Sequence, residues 1–225
     1  MLMHLEPFSL VDYPGHIVAT VFFGGCNFRC GYCHNPSLVH ITEKSQTSPS
    51  AVVAFMKSRK GLLDGVCLTG GEPLLSIDLL PFVREIKELG FKVKLDTNGS
   101  NLEKLQEIAG YLDYIAMDVK CLPEKYDALT GCANSGSMIT RTINWIKNSG
   151  IPYEFRTTVL PVWHPIEDLH AIREFLESET TWVLQQFHQP PPPQAVLDGM
   201  IYEGYSEVWL KEIGKILNCS VRGTR

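Results

Sequence analysis

The sequence predicts an α/β fold, built as an open, partial (β/α)6 barrel, on three observations. Apolar, β-rich runs alternate with amphipathic helical stretches along most of the chain. The alternation repeats six times, too few for a closed eight-stranded barrel. Polar residues with chemistry available to them recur directly after the strands, where parallel α/β architectures place their ligands. Strand–helix alternation also calls for crossover connections and a parallel sheet covered on both faces.

Taken in order, the strands are expected at 17–23, 65–69, 91–96, 114–118, 153–160 and 182–187. Each is short, apolar and rich in β-branched or aromatic residues. Helices are expected between them at 49–59, 78–89, 102–109, 137–148 and 165–177, and a last one at 205–217 follows the sixth strand. Their apolar residues recur at spacings of three and four, as in Leu79, Leu80, Phe82, Val83, Ile86 and Leu89. Gly90 and Gly150 each follow a helix and suit its C-terminal cap. No internal repeat or linker interrupts the series, so residues 1–225 read as a single domain with its core at about 17–217. The one low-complexity run, Pro190–Pro193, reads as a stiff loop.

Composition narrows the function. A hydrophobic share of 44% and a charged share of 20% fit a globular chain able to bury a sizeable core. A net charge of −5 without a basic block argues against nucleic acid as a partner. The opening Met1-Leu2-Met3-His4-Leu5-Glu6-Pro7 lacks the basic and apolar segments of a signal peptide, and no apolar run approaches membrane-spanning length. Seven cysteines, an odd number, fit a reducing cytoplasm. Cys67, Cys121, Cys132 and Cys219 are scattered and read as free structural thiols.

The other three cysteines stand together. Cys26, Cys30 and Cys33 form a C-x3-C-x2-C run in a loop at 24–36, after the first strand and after Gly24-Gly25. A cubane iron–sulfur cluster needs thiolates converging from one short loop, and three of them leave one iron open to a chelating small molecule. A Cys3His zinc site using His34 is the competing arrangement. Because His34 directly follows Cys33, the two side chains would struggle to reach one tetrahedral ion. Three thiols could also simply pack as small hydrophobes.

Five more constellations follow the other strands. Gly70-Gly71-Glu72-Pro73 follows the second; its glycines allow close backbone approach, and Glu72 or an adjacent carbonyl can accept from a cationic amino group. Asp96-Thr97-Asn98-Gly99 follows the third, and Asp118-Val119-Lys120 ends the fourth. Asp96 and Asp118 need compensation, from a monovalent cation or from a paired Lys120. An ordinary Asp–Lys pair with an Asn-Gly turn is the plainer reading. Arg156, in an apolar strand, calls for an anion, either a ligand carboxylate or a structural partner. His188 ends the sixth strand and could bond a ribose, a substrate backbone or merely its own fold.

With these residues in place the sequence resembles the glycyl radical enzyme activating enzymes of the radical S-adenosylmethionine (SAM) superfamily. The likeness runs from Phe8 to about His188 and is strongest over Phe8-Ser9-Leu10-Val11-Asp12-Tyr13-Pro14-Gly15 and over the cysteine loop through Pro36. It is closest to the anaerobic ribonucleoside-triphosphate reductase activating group, which shares the Asp-Tyr-Pro-Gly opening and the Cys-His-Asn-Pro end of the loop. Pyruvate formate-lyase activating enzymes usually carry glycine where Tyr13 stands. Many larger activases also insert a ferredoxin-like segment before GGEP; this chain does not, and reads as a compact, single-cluster form. The resemblance implies one [4Fe–4S] cluster on Cys26, Cys30 and Cys33, with SAM on the open iron. It places Gly70, Gly71 and Glu72 near the SAM amino group and Tyr32 near the adenine. It sets Lys120 and Arg156 against SAM and His188 against SAM or the glycine loop, with Asp96, Thr97 and Asp118 around a monovalent cation. A one-electron donor such as flavodoxin or ferredoxin would drive reductive cleavage of SAM. The resulting 5′-deoxyadenosyl radical would take an α-hydrogen from a glycine of a partner enzyme, here anaerobic ribonucleotide reductase. The alternatives are a pyruvate formate-lyase-type activating enzyme and a radical SAM enzyme acting on a small molecule; a noncatalytic metal-binding or electron-transfer module has no use for the strand-end residues.

Overall fold

Where the sequence places six strands the structure has six, each ending within one residue of expectation. The computed structural model describes residues 3–39, 47–192 and 194–224; Pro193, the last of the proline run, lies outside them. The fold is α/β and mostly parallel. Two compact units compose it, one of Met1–Asn27 with Ser37–Ala116, the other of Phe28–Pro36 with Met117–Arg225.

In the first unit the parallel strands are β2 (Val18–Phe23), β3 (Gly65–Gly70) and β4 (Lys92–Thr97). β2 runs in register with β3 from Val18 opposite Gly65 to Phe23 opposite Gly70, and β3 pairs β4 from Gly65 opposite Lys92 to Leu68 opposite Leu95. Val18, Ala19, Val21, Val66, Cys67, Leu68, Val93 and Leu95 have no exposed surface, as expected of strands covered on both faces. Helices α2 (Pro49–Ser58) and α3 (Leu79–Glu88) supply the cover. The α3 stripe Leu79, Phe82, Val83 and Ile86 is buried, and Phe82 meets Phe23 edge-on with ring centroids 6.4 Å apart. Helix α4 (Leu102–Ile108) begins at Asn101, whose side chain caps Lys104 N–H at 3.0 Å.

Two elements of this unit were not expected. Strand β1 (Met3–Ser9) pairs antiparallel with β2, with an irregularity between Glu6 and Ser9. Helix α1 (Pro36–Val39) is a single turn after the cysteine loop. The turn joining β1 to β2 carries the Asp-Tyr-Pro-Gly motif. His16 N–H bonds the Tyr13 carbonyl at 3.0 Å across Pro14 and Gly15, and Gly15 has φ +75°, which glycine adopts without strain. Asp12 accepts from the Thr20 hydroxyl at 2.6 Å, and Tyr13 is buried with Val18 and Cys67.

Strand β5 (Tyr114–Asp118) carries the chain into the second unit. There the short helix α5 (Tyr126–Thr130) is an addition to expectation, and α6 (Ser135–Asn148) starts two residues early. Strands β6 (Tyr153–Val159) and β7 (Trp182–Gln186) pair in parallel with Phe155 opposite Trp182, and α7 (Ile166–Leu176) connects them. After α8 (Glu207–Ile216) a further unexpected strand, β8 (Ser220–Arg222), pairs in parallel with β7. Arg222 closes this unit by a two-pronged pair with Glu154, at 2.7 and 2.6 Å, where Glu154 is 1% exposed. Trp182 is as deeply buried, and its indole N–H reaches the Thr157 hydroxyl at 3.0 Å. Among the described residues no helix is long and apolar enough to cross a membrane.

Phe155 has no exposed surface, and its ring lies 5.1 Å from that of Tyr153. Truncation to alanine opens a cavity in the β6–β7 layer and should cost about 3–5 kcal/mol, read as a lower denaturant midpoint at unchanged m-value.

Candidate functional site

In the first unit three loops meet at the carboxyl ends of β2, β3 and β4. Gly71 N–H bonds the Phe23 carbonyl at 2.7 Å, Glu72 N–H bonds the Gly25 carbonyl at 2.8 Å, and Gly25 N–H bonds the Leu38 carbonyl at 2.7 Å. Such close backbone approach explains the glycines. A Cβ on Gly71 would run into the Gly25 carbonyl, and one on Gly70, at φ +116°, into the backbone of Phe23.

Glu72 is 1% exposed and its carboxylate is already engaged. It accepts from Leu74 N–H at 3.1 Å, the Thr97 hydroxyl at 2.8 Å and Asn98 N–H at 2.6 Å. Thr97 in turn accepts from Gly99 N–H at 3.0 Å. Glu72 and Thr97 thus brace the loops that the sequence assigns to ligand binding. Asn98 extends the brace to the cysteine loop: its side-chain amide lies 3.8 Å from the Cys26 sulfur and donates to the side-chain oxygen Oδ1 of Asn27 at 3.0 Å. Asp96 pairs with Lys94, a lysine 1% exposed whose ammonium also sits 3.7 Å from the Cys67 sulfur.

The second unit holds the rest of the loop. Cys33 N–H bonds the Cys30 carbonyl at 3.0 Å, closing a turn, and Arg29 N–H anchors the turn to the Thr130 carbonyl at 2.7 Å. Tyr32 is buried in that turn; its hydroxyl pKa is pushed well up by desolvation, against an opposing pull from Lys120. Asp118 accepts from Arg156 Nε at 3.0 Å and Nη2 at 2.9 Å, and from Lys120 at 3.3 Å. Burial alone would raise the Asp118 pKa, but the Arg156 and Lys120 charges outweigh it and hold the carboxyl below its ordinary range. Lys120 likewise would be lowered by burial, yet Asp118 holds its pKa well above the ordinary lysine value.

The Asp118-Val119-Lys120 backbone is pinned throughout. Val119 N–H bonds the Arg156 carbonyl at 2.8 Å, and the Val119 carbonyl accepts from the Thr157 hydroxyl at 2.6 Å. Lys120 N–H donates to the Tyr126 hydroxyl at 2.7 Å, and the Lys120 carbonyl meets His164 Nε2 at 2.6 Å. His164 is fully buried, and desolvation lowers its pKa. As the neutral ring it donates from Nε2 and accepts Leu160 N–H at Nδ1, 3.1 Å away. His188 is exposed, and its Nε2 lies 2.6 Å from the Gly223 carbonyl just beyond β8.

Lys94, Tyr126 and His164 are supporting residues that the sequence reading missed. Lys94 lies between the fully buried Val93 and Leu95, and only its spacing of two from Asp96 could have flagged it. His164 and Tyr126 lie far in sequence from the backbone they hold.

The donor set suits an iron–sulfur cluster. All seven cysteines are free thiols, and an amide donor near the Cys26 sulfur is of the kind that tunes such clusters. Among the described residues no three His, Cys, Asp or Glu side chains gather around a single metal-ion position. A cubane makes no such demand, since each thiolate takes a different iron.

Residues 20–178 match the radical SAM superfamily. A Methanocaldococcus jannaschii chain named as a glycyl-radical enzyme activating enzyme, MJ1227, is 31% identical over 217 residues, spanning 92% of this chain and 88% of that one. The chain belongs to the radical SAM superfamily, among its glycyl-radical enzyme activating enzymes. A pyruvate formate-lyase-activating enzyme of Listeria monocytogenes is 31% identical over 188 residues, 77% of this chain and 75% of the other. Among solved structures, Streptococcus suis SuiB bound to S-adenosylmethionine superposes with a TM-score of 0.71 at 12% identity. That superposition covers 92% of this chain, which spans about half of SuiB (52%). A domain of a pyruvate-formate lyase-activating enzyme from Bacteroides vulgatus gives 0.57 at 18% identity, over 71% of this chain and 99% of that domain. These two likenesses establish the fold. Membership makes this radical SAM protein an enzyme that cleaves SAM reductively to generate a radical, with a [4Fe–4S] cluster and SAM as its cofactors.

The Asp118 pair generates a pH prediction. A carboxyl whose pKa is lower folded than unfolded stabilises the fold above the unfolded value, about 4, and loses that contribution as pH falls through the folded value. Asp118→Asn should therefore be less stable than wild type at neutral pH. Urea unfolding should show the gap constant above about pH 5 and closing on acidification; a gap of constant size down to pH 2 would contradict the pairing.

Proposed function

We propose that this protein generates a glycyl radical on an anaerobic ribonucleotide reductase. The observation that supports it best is the C-x3-C-x2-C loop leaving β2 beside the glycine turn that ends β3, where Gly25 and Glu72 share a hydrogen bond. Cys26, Cys30 and Cys33 would hold the cluster. When bound, the cluster supplies the electron that opens a carbon–sulfur bond of SAM. The chain's own groups bind and orient. In the first unit Gly70 and Gly71 let backbone carbonyls approach the SAM amino group, Glu72 and Thr97 fix those carbonyls, and Asp96 offers a carboxylate for a monovalent cation. In the second unit Lys120 and Arg156, set around Asp118, offer cations to the SAM carboxylate, with Tyr32 toward the adenine and His188 toward SAM or the incoming glycine loop. Excluding water from the adenosyl radical and positioning the glycine are the protein's share of the chemistry.

The reductase as partner is supported by Asp12-Tyr13-Pro14-Gly15 and by the compact span from the cysteine loop to GGEP. A second reading, pyruvate formate-lyase as partner, is favoured by relatives such as the Listeria monocytogenes and Clostridium pasteurianum proteins that carry that activity in their names. Flavodoxin or ferredoxin would supply the electron in either case. One experiment separates the readings. After anaerobic reconstitution the chain is mixed with SAM, reductant and each candidate partner in turn, and followed by electron paramagnetic resonance. A glycyl doublet is expected on the reductase, lost when its glycine is replaced by alanine, with 5′-deoxyadenosine formed alongside. A doublet on the lyase alone would transfer the assignment to the second reading. Replacing Cys30 and Cys33 together by alanine should abolish both cluster and product.

A further inference from the structure

Beyond β7 the chain does not go straight into α8. It runs through Pro190, Pro191 and Pro192, turns, and doubles back onto the cysteine loop of the same unit. Asp198 N–H bonds the carbonyl of Gly31, the residue after Cys30, at 3.1 Å. Over the same glycine lie the Asp198 carboxylate and the Tyr202 hydroxyl. A Cβ at Gly31 would collide with that carboxylate and press on that hydroxyl. The two groups are bonded to each other, Tyr202 donating to Asp198 Oδ2 at 2.5 Å. Hydrogen bonding to Asp198, with some burial, pushes the Tyr202 pKa to about 12, so the hydroxyl remains a donor across the neutral range.

The returning segment is itself fixed. Asp198 Oδ1 accepts Met200 N–H at 2.9 Å, Gly199 N–H bonds the Val196 carbonyl at 3.0 Å, and Val196 is 2% exposed. Gln189 ties the two limbs together, accepting Tyr202 N–H at 3.0 Å, and Gln186 in β7 reaches the Tyr205 carbonyl at 3.1 Å. At its start the Phe187 ring packs between Tyr202, at 6.1 Å, and His34, at 4.7 Å, the residue after Cys33. The segment therefore grips the cysteine turn at both of its ends. The prolines narrow what the segment can do when released, which lowers the cost of ordering it.

We infer that residues 187–192 and 194–204 form a strap that holds the Cys30–Cys33 turn in its ligating shape, with Asp198 and Tyr202 as positioning residues acting through Gly31. The inference rests on the reading that this loop holds the cluster. Groups that orient ligands from behind commonly account for a ten- to hundred-fold effect on metal retention. A turn exposed on one side and lacking the strap would let two of three thiolates drift from the geometry a cubane needs.

The test uses the full chain, reconstituted anaerobically, as wild type, Asp198→Ala, Tyr202→Phe, Gly31→Ala and the double variant Gly31→Ala/Asp198→Ala. Iron per chain is measured first, then the rate of iron loss to excess bathophenanthroline, then the resonance spectrum of the dithionite-reduced protein. Asp198→Ala and Gly31→Ala should each lose iron roughly tenfold faster than wild type, Tyr202→Phe by less, with altered spectra. Thermal unfolding of the iron-free chains should be unchanged, which a general loss of stability would not allow. In the double variant the colliding carboxylate is gone, so Gly31→Ala should add little to Asp198→Ala. Wild-type rates and spectra in the single variants, beside a wild type that loads its cluster, would overturn the strap while leaving the functional reading intact. A wild type that takes up no cluster would overturn both.

Discussion

One nearly inaccessible carboxylate, Glu72, holds the strand-end loops of the first unit together. A buried carboxylate is tolerable only if its oxygens are met by donors, and each donor here comes from a loop that must be placed. Leu74 N–H fixes the start of the turn after β3, while the Thr97 hydroxyl and Asn98 N–H fix the turn after β4. The backbone of Glu72 closes the circuit to the cysteine loop through Gly25. The glycines follow from this geometry: once Gly71 lies against the Gly25 carbonyl, no side chain fits. The loops proposed above to take SAM are ordered by these contacts in the absence of a ligand, the arrangement that keeps ordering costs out of a binding step.

The second unit solves a related problem with charge. Arg156 in a covered strand and Lys120 at the end of β5 are both costly alone, and Asp118 compensates them together. Holding the three in place requires a rigid backbone under Lys120, which Tyr126, His164, Thr157 and the Arg156 carbonyl supply from three separate segments. Desolvation keeps His164 neutral, so the support adds no further charge to the site.

Elements with strong period and burial were legible in the sequence. All six parallel strands and six helices were placed within two residues, because strands covered on both faces read as continuous apolar runs. What was missed lacks such a signal. Strand β1 carries Glu6, Pro7 and an irregular register, β8 is three residues long, and α1 and α5 are about one turn each. The site shows the same division. Cysteine spacing and strand-end position identify the residues worth naming and the Asp118–Lys120 pair, but not the partners more distant in sequence. Arg156 was read as needing an anion, and that anion includes Asp118, thirty-eight positions away. The sequence offers Glu72 or an adjacent carbonyl as an acceptor; that the Glu72 oxygens accept from Thr97 and Asn98 is set by tertiary contacts that no local pattern encodes. The strap was read only as a proline loop, since its hold on Gly31 depends on a turn beyond the prolines.

The Asp-Tyr-Pro-Gly motif is built into the packing of the first unit. Tyr13 is 4% exposed, packed against Val18, Cys67 and Tyr114, and Asp12 is engaged by Thr20. Desolvation, aided by Asp113 and Cys67, raises the Tyr13 pKa to about 12, in keeping with a hydroxyl at the edge of a core rather than one poised for proton transfer. Pro14 and Gly15 then set the backbone dihedrals of the turn, and that turn fixes how β1 returns along β2. Phe8, Leu10 and Val11, at 54%, 63% and 84% exposure, are the side chains that this stretch presents outward. A glycine in place of Tyr13 would remove the ring that anchors the turn and free the course of the same stretch. The motif thus acts on the backbone course of this stretch, with the aromatic ring held inside the core.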